Sequence, residues 1–160
     1  MFKPARLMPL MLCLAFASLS AQAQTTPAAP VADAPRIGTF KQVEGETWVG
    51  PAGARQAVAP GAGVGVAQRV STGATGSATI TLKDGTVLTM GPNTTMDLSK
   101  FQFDATTQEG NFLLDLLQGS VRVVTGLLAR INPDLFKVQT PTSVVGVRGT
   151  DFIVETQAGR

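Results

Sequence analysis

The chain has 160 residues, a formal net charge of +2 at neutral pH, and neither histidine nor tyrosine. This length predicts a single domain, and the lack of histidine excludes an imidazole base or an imidazole metal ligand. The charge excess comes from Lys3 and Arg6, because the rest of the chain carries 11 acidic residues and the same number of basic ones. Composition therefore gives no reason to expect a nucleic-acid partner.

Residues 1–23 have the pattern of a cleavable secretory signal peptide. Basic residues precede an apolar stretch at 7–19, and the tripeptide at 21–23 fits a cleavage site of small residues. The apolar stretch is shorter than the roughly 20 residues of a membrane-spanning helix. Cleavage would also remove Cys13, the only cysteine, and with it any thiol chemistry. We therefore expect a periplasmic protein with no integral membrane segment after signal cleavage.

The rest of the chain divides into a linker and one folded domain. Residues 24–36 are rich in proline and alanine, which predicts a disordered linker. In residues 37–157, short β-branched and aromatic stretches are separated by glycine-containing turn signals, which is typical of an all-β fold. We predict short strands in a sandwich or a β-roll, with one short helical turn near 126–132. Trp48 is expected to be a core or half-buried anchor rather than to stack on a ligand.

The segment Ser77–Met90 is the clearest local structure. Apolar and polar residues alternate on either side of Asp84-Gly85, which is a hairpin turn signal. A three-residue loop that ends at Gly85 places Ile80 opposite Leu88 and keeps the apolar side chains on one face, whereas a two-residue loop mixes the faces. We therefore predict a type I turn with Gly85 in the left-handed conformation.

A leucine-rich segment follows at 110–125. Gly110 and Gly119 leave room for a strand rather than for a helix of ordinary length. We therefore predict a hairpin whose two strands meet at Gly119. Asp115 and Arg122 would then lie on its two halves and could pair across it.

The best helical candidate is the short segment Leu127–Asn132. Pro133 ends it, because the residue before a proline is disfavoured in the helical region. Leu127, Leu128 and Ile131 are expected to form its apolar face.

The stretch Val138–Val154 combines apolar residues with the turn residues Pro141, Gly146 and Gly149. It also contains Arg148, which lies within an apolar run and has two interpretations. In the structural interpretation, which we favour, the guanidinium caps backbone carbonyls at a turn or pairs with Asp151. In the functional interpretation, it presents a bidentate donor to a partner carboxylate or a glycan.

The residue inventory predicts no catalytic residues, no metal ligands and no cofactor. No serine has a nucleophile-elbow context, and neither a calcium loop nor a phosphate-binding loop is present. The aspartates are scattered and most adjoin turns, which favours capping over acid–base chemistry; they are Asp84, Asp97, Asp104, Asp115, Asp134 and Asp151.

Six segments, taken in order, resemble the FecR domain family, within a resemblance that extends over residues 37–155. They are Gly45–Val49, Val70–Gly73, Lys83–Thr86, Gly91–Thr94, Leu117–Arg122 and Thr140–Phe152. Its motif and structural residues are Asp84, Gly85, Gly119, Pro141, Gly146, Arg148, Gly149 and Asp151.

The resemblance implies an all-β extracytoplasmic domain. The family is best known from inner-membrane regulators that sense a loaded siderophore transporter, and these carry an anti-sigma segment and a membrane helix before the domain. A signal peptide and a linker are expected at that place here. We therefore expect a non-enzymatic binding or scaffold domain whose partner is an unknown envelope protein. The alternatives are an envelope signalling component linked to iron sensing, and a cell-wall or polysaccharide-binding module.

Overall fold

The computed structural model describes residues 35–51, 54–107 and 109–157. The expected signal peptide and almost all of the expected linker lie outside these residues. The described residues form strands with one short helix and one 3-10 turn, which confirms the all-β prediction. The elements in chain order are β1 (Arg36–Glu44), β2 (Thr47–Val49), β3 (Gln56–Ala57), β4 (Gly63–Gly65), β5 (Arg69–Thr72), β6 (Ser77–Leu82), β7 (Val87–Met90), β8 (Thr95–Phe103), β9 (Gly110–Val124), α1 (Leu127–Ile131), the 3-10 turn Pro133–Leu135, β10 (Phe136–Gln139), β11 (Val144–Gly146) and β12 (Asp151–Thr156).

The long strand β9 is the centre of the fold. Its first half lies between β8, which is antiparallel to it, and β10, which is parallel. Its second half lies between β7 and β12, both antiparallel. The other strands continue outward from these, in the order β3-β2-β5-β8 on one side and β7-β6-β1-β4 on the other. The strands thus make one curled sheet that runs through β9, rather than two separate layers.

The core lies inside this curl. Buried side chains come from both halves of the sheet and from α1, which contributes Leu128 and Ala129. Phe112 and Phe136 are cross-strand neighbours on β9 and β10, and their rings stack with centroids 4.3 Å apart. Phe101 meets the Phe112 ring edge-on. Aromatic pairs of this kind add to the area that they bury, so this cluster anchors the parallel strand β10 to the sheet.

The hairpin prediction is confirmed. Ile80 pairs with Leu88 and Ala78 with Met90, so the loop has three residues. The Leu82 N–H donates to the Thr86 carbonyl at 2.8 Å, and Gly85 has a φ of +85°. The buried side chains of β6 alternate strictly with half-buried ones, as the sequence pattern predicts.

The predicted hairpin around Gly119 is wrong. Residues 110–124 form one continuous strand, so Asp115 and Arg122 lie on the same strand and do not face each other. The buried positions change parity along it, from Phe112, Leu114 and Leu116 to Val121 and Val123. A regular strand keeps one parity on one face, so a one-residue offset is required between the two halves. Gly119 lies at that offset, with a φ of +89°.

The helical turn is confirmed, and its predicted apolar face is correct for Leu128 but wrong for Leu127 and Ile131. α1 ends at Ile131, one residue before the expected end. Leu128 and Ala129 are buried, whereas Leu127 and Ile131 are exposed. β1 begins at Arg36, one residue before the expected start of the domain, and Trp48 is half-buried, within the expectation of a core or half-buried anchor. Among the described residues, no helix has the length and apolarity needed to cross a membrane.

Candidate functional site

The turn at residues 84–86 fastens the hairpin to the start of α1. The Asp84 side chain is buried, and its Oδ1 and Oδ2 accept the N–H and the hydroxyl of Thr86 at 3.0 and 2.6 Å. The Asp84 carbonyl accepts the N–H of Leu127 at 2.9 Å, and the Thr86 hydroxyl oxygen accepts that of Gly126 at 3.0 Å. Asp84 and Thr86 thereby each satisfy one N–H donor at a helix start that has no side-chain cap of its own.

A second turn, Gly91–Thr94, packs against the bend of β9. The Thr94 N–H donates to the Thr72 hydroxyl at 2.9 Å, and the Ser120 N–H donates to Thr94 Oγ1 at 3.1 Å. The Thr72 hydroxyl in turn donates to the Gly91 carbonyl at 2.7 Å. This network connects β5, β8 and β9 at the point where β9 passes from one half of the sheet to the other.

The remaining predicted residues lie around β11 and β12. Pro141 is exposed in the turn between β10 and β11, where the Thr140 N–H donates to the Ser143 carbonyl at 2.8 Å. Gly146 ends β11, and no atom lies within 4 Å of the position that a Cβ there would occupy. Gly149 has a φ of +61° and lies in the segment that leads to β12.

The expected pairing of Arg148 with Asp151 is wrong. The partner of Asp151 is Arg122, whose Nε donates to Oδ1 at 2.9 Å and whose second nitrogen contacts Oδ2. This bond lowers the pKa of Asp151 and raises the pKa of Arg122. Arg148 is exposed and takes part in neither of the two ion pairs formed by the described residues. Of the two structural interpretations of Arg148, the pairing with Asp151 is therefore contradicted.

Arg130 lies beside the same segment. Its Cγ is 3.6 Å from the position that a Cβ on Gly149 would occupy, and it too is outside both ion pairs. The other ion pair, Arg69–Asp97, is on β5 and β8, where two bonds of 2.7 Å join the groups and raise the pKa of Arg69. Two arginines without an acidic partner among the described residues therefore lie near one loop.

The exposed large apolar side chains are concentrated in one stretch of the sequence. All six large apolar side chains that are exposed among the described residues fall between positions 124 and 153; they are Val124, Leu127, Ile131, Leu135, Val144 and Ile153. The most exposed are Ile153, at 67%, and Val144, at 62%. An apolar side chain that is two-thirds exposed makes few contacts within its own chain, so this region is the best candidate for contact with another molecule.

A groove of about 530 Å³ lies between β11 and β12, and we call it the β11–β12 groove. It is lined by the turn before β11, by β11, by the segment 147–150 and by β12. Its apolar side chains are Val145, Val147, Phe152, Ile153 and Val154. No cluster of three metal-ligating side chains occurs among the described residues. The apolar lining of the groove suits contact with an apolar segment.

The sequence contains a signal for this surface that the apolar pattern obscures. Ile153 has the same parity in β12 as Asp151 and Glu155, both exposed. Because alternate residues of a strand share a face, an isoleucine between two acidic residues at this spacing is expected on the outside. The apolar character of the whole stretch instead suggests a buried core strand.

Comparisons with known proteins place this geometry in a family. Residues 68–160, more than half of the chain, match the family model described as FecR protein. The match includes the hairpin, the whole of β9 and the β11–β12 groove, and it begins after β1–β4, which pack in the same sheet. Neither the curated proteins nor the solved structures contain a match. The expected resemblance is therefore confirmed, and the chain belongs to the FecR protein family.

Proposed function

We propose that this protein is a non-enzymatic periplasmic domain that binds another envelope protein through the β11–β12 groove. The observation that carries this proposal is the 67% exposure of Ile153, the most exposed large apolar side chain among the described residues, in the lining of this groove. Family membership supports it at a coarser level, because the FecR domain is a signalling-related and envelope-associated domain.

The chemistry of the surface agrees with a protein partner. The groove combines partly buried apolar side chains with the free edge of a strand, and both are common features of peptide recognition. The family itself is a regulatory one rather than an enzyme family. Under this proposal the protein acts by holding a partner, and it needs neither a metal nor a cofactor.

A role in envelope signalling is the second candidate, and family membership favours it. In that case the partner would be an outer-membrane siderophore transporter or a regulator that responds to one. Polysaccharide binding receives less support. The only tryptophan, Trp48, is half-buried, and the Arg55 guanidinium carbon lies 5.7 Å from its ring centroid, so the ring is not a free stacking platform.

Capture from periplasmic extract tests the proposal. The mature protein, residues 24–160, is crosslinked in the extract as the wild type, as Ile153→Lys and as Leu135→Lys. Leu135 is an exposed apolar residue outside the groove, so it controls for the added charge. We expect one set of partners to be lost with Ile153→Lys and kept with Leu135→Lys. Equal capture by all three proteins would refute the proposed surface, and a siderophore transporter among the lost partners would support signalling.

A further inference from the structure

The outer edge of β12 is free. Within the described residues β12 pairs with β9 alone, and β11 pairs with β10 alone. The two strands border the same groove, and each has one edge whose backbone groups have no strand partner among the described residues. Such an edge can accept one more strand, and the side chains of that strand would then alternate between the groove and solvent.

The charges around this edge are ordered. Arg130 and Arg148 lie near Gly149, which precedes β12, whereas Glu155 is exposed near its other end. Asp151 keeps its charge, but its ion pair with Arg122 adds no net charge to the end of the edge near Gly149. The edge therefore presents positive charge at one end, the apolar Ile153 in the middle and negative charge at the other end.

A second copy of this chain fits the edge poorly. Antiparallel pairing of two β12 strands centred on Ile153 would place Asp151 of one copy opposite Glu155 of the other, twice. Like charges directly opposite each other destabilise a strand pair. Exposed charges on an edge strand commonly prevent this kind of self-association. A foreign strand with complementary charges does not meet this repulsion.

This inference rests on the function proposed above. We propose that an extended segment of the partner protein pairs with β12 as an added strand, and that this segment carries its charges in a defined order. That segment has an apolar residue over Ile153, a carboxylate at the end near Arg130 and Arg148, and a cation at the end near Glu155. The backbone ladder supplies the binding, and the two charged ends select the segment.

A titration with short peptides tests this proposal. The probes are blocked heptapeptides of alternating valine and threonine that differ only in their ends. One pair carries a glutamate at one end and a lysine at the other, in both orders, because the strand direction is open. Two controls carry two lysines or two glutamates, and a third carries a proline at the centre. Binding is measured up to millimolar peptide from the amide chemical shifts of β12.

We expect the better of the two mixed-charge peptides to bind about threefold more tightly than either like-charged peptide. This difference in affinity is of the size that an exposed ion pair contributes. The central proline should weaken binding by about tenfold or more, because it removes a ladder hydrogen bond. Glu155→Lys should transfer the preference to the two-glutamate peptide. Arg130→Glu combined with Arg148→Glu should transfer it to the two-lysine peptide. Unchanged amide shifts outside the groove report that each variant is folded.

Three results would overturn the inference. They are no shift in β12 at millimolar peptide, equal binding of the proline peptide, and a dimer of the protein itself that Ile153→Lys abolishes. Capture of partners from the extract separates this inference from the proposed function. If capture depends on Ile153 but is unchanged in the Glu155→Lys and Arg130→Glu/Arg148→Glu variants, the proposed function stands and the strand model falls. If peptide binding follows the predicted charge order but capture does not depend on Ile153, the strand model stands and the proposed function falls.

Discussion

Replacement of Gly119 by alanine should destabilise the fold more than the same replacement at Gly85 or Gly146. Gly119 has a φ of +89°, and a Cβ there would lie 2.5 Å from Thr94 Cα and 2.7 Å from the Asn93 carbonyl oxygen. The left-handed conformation costs a side chain about 1–2 kcal/mol. Displacement of packed neighbours costs about 1–3 kcal/mol more. We therefore expect a loss of about 2–5 kcal/mol in the free energy of unfolding, measured by urea denaturation.

The two other glycines separate these contributions. Gly85 has a φ of +85° but no atom within 4 Å of a Cβ, so Gly85→Ala should cost about 1–2 kcal/mol from the backbone alone. Gly146 has neither feature, so Gly146→Ala should change stability by less than about 0.5 kcal/mol. If Gly119→Ala costs no more than Gly85→Ala, the close approach of β9 to the Gly91–Thr94 turn does not determine its effect.

Three more predictions concern the polar contacts. Asp84→Ala leaves the buried N–H and hydroxyl of Thr86 without their acceptor and should cost about 2–4 kcal/mol in urea denaturation; an unchanged midpoint would contradict this. The Asp151 carboxylate, whose pKa Arg122 lowers, contributes stability above its unfolded pKa and loses that contribution as the pH falls through its folded pKa. In an NMR titration, Arg122→Gln should return the pKa of Asp151 to its ordinary range, and an unmoved pKa would assign the shift to another cause. Arg148→Ala should leave stability within about 0.5 kcal/mol of wild type, since the side chain is exposed and forms no ion pair with the described residues; a larger loss on thermal unfolding would restore a structural role.

The local elements are predictable where one short segment contains all the relevant information. The register of the Ser77–Met90 hairpin follows from alternation and from Asp84-Gly85, because a slip by one residue would turn every side chain to the wrong face. The change of parity in β9 is also present in the sequence. This change of parity suggests a turn, because a glycine between two apolar runs is usually interpreted as a hairpin signal rather than as a bend within one strand.

The placement of the charged residues is not predictable in the same way. Arg148 and Asp151 are close in sequence, and the spacing of Asp115 and Arg122 suggests the two halves of one hairpin. The actual partner of Asp151, Arg122, is on a neighbouring strand, 29 positions away. That pairing depends on the register between β9 and β12, and nothing within either strand specifies it.

The sequence alone determined the all-β class, the central hairpin, the short helical turn and the resemblance to the FecR family, because these depend on alternation, turn residues and local order. The tertiary structure decided how the stretch Val138–Val154 is used. β10 pairs with the first half of β9, and β12 pairs with its second half. Arg148 lies in the segment between β11 and β12 and is exposed. The alternation of Ile153 with Asp151 and Glu155 indicates which face of β12 is exposed, and Val154 on the other face is buried. Only the tertiary structure brings β12 beside β11 and so forms the candidate binding groove.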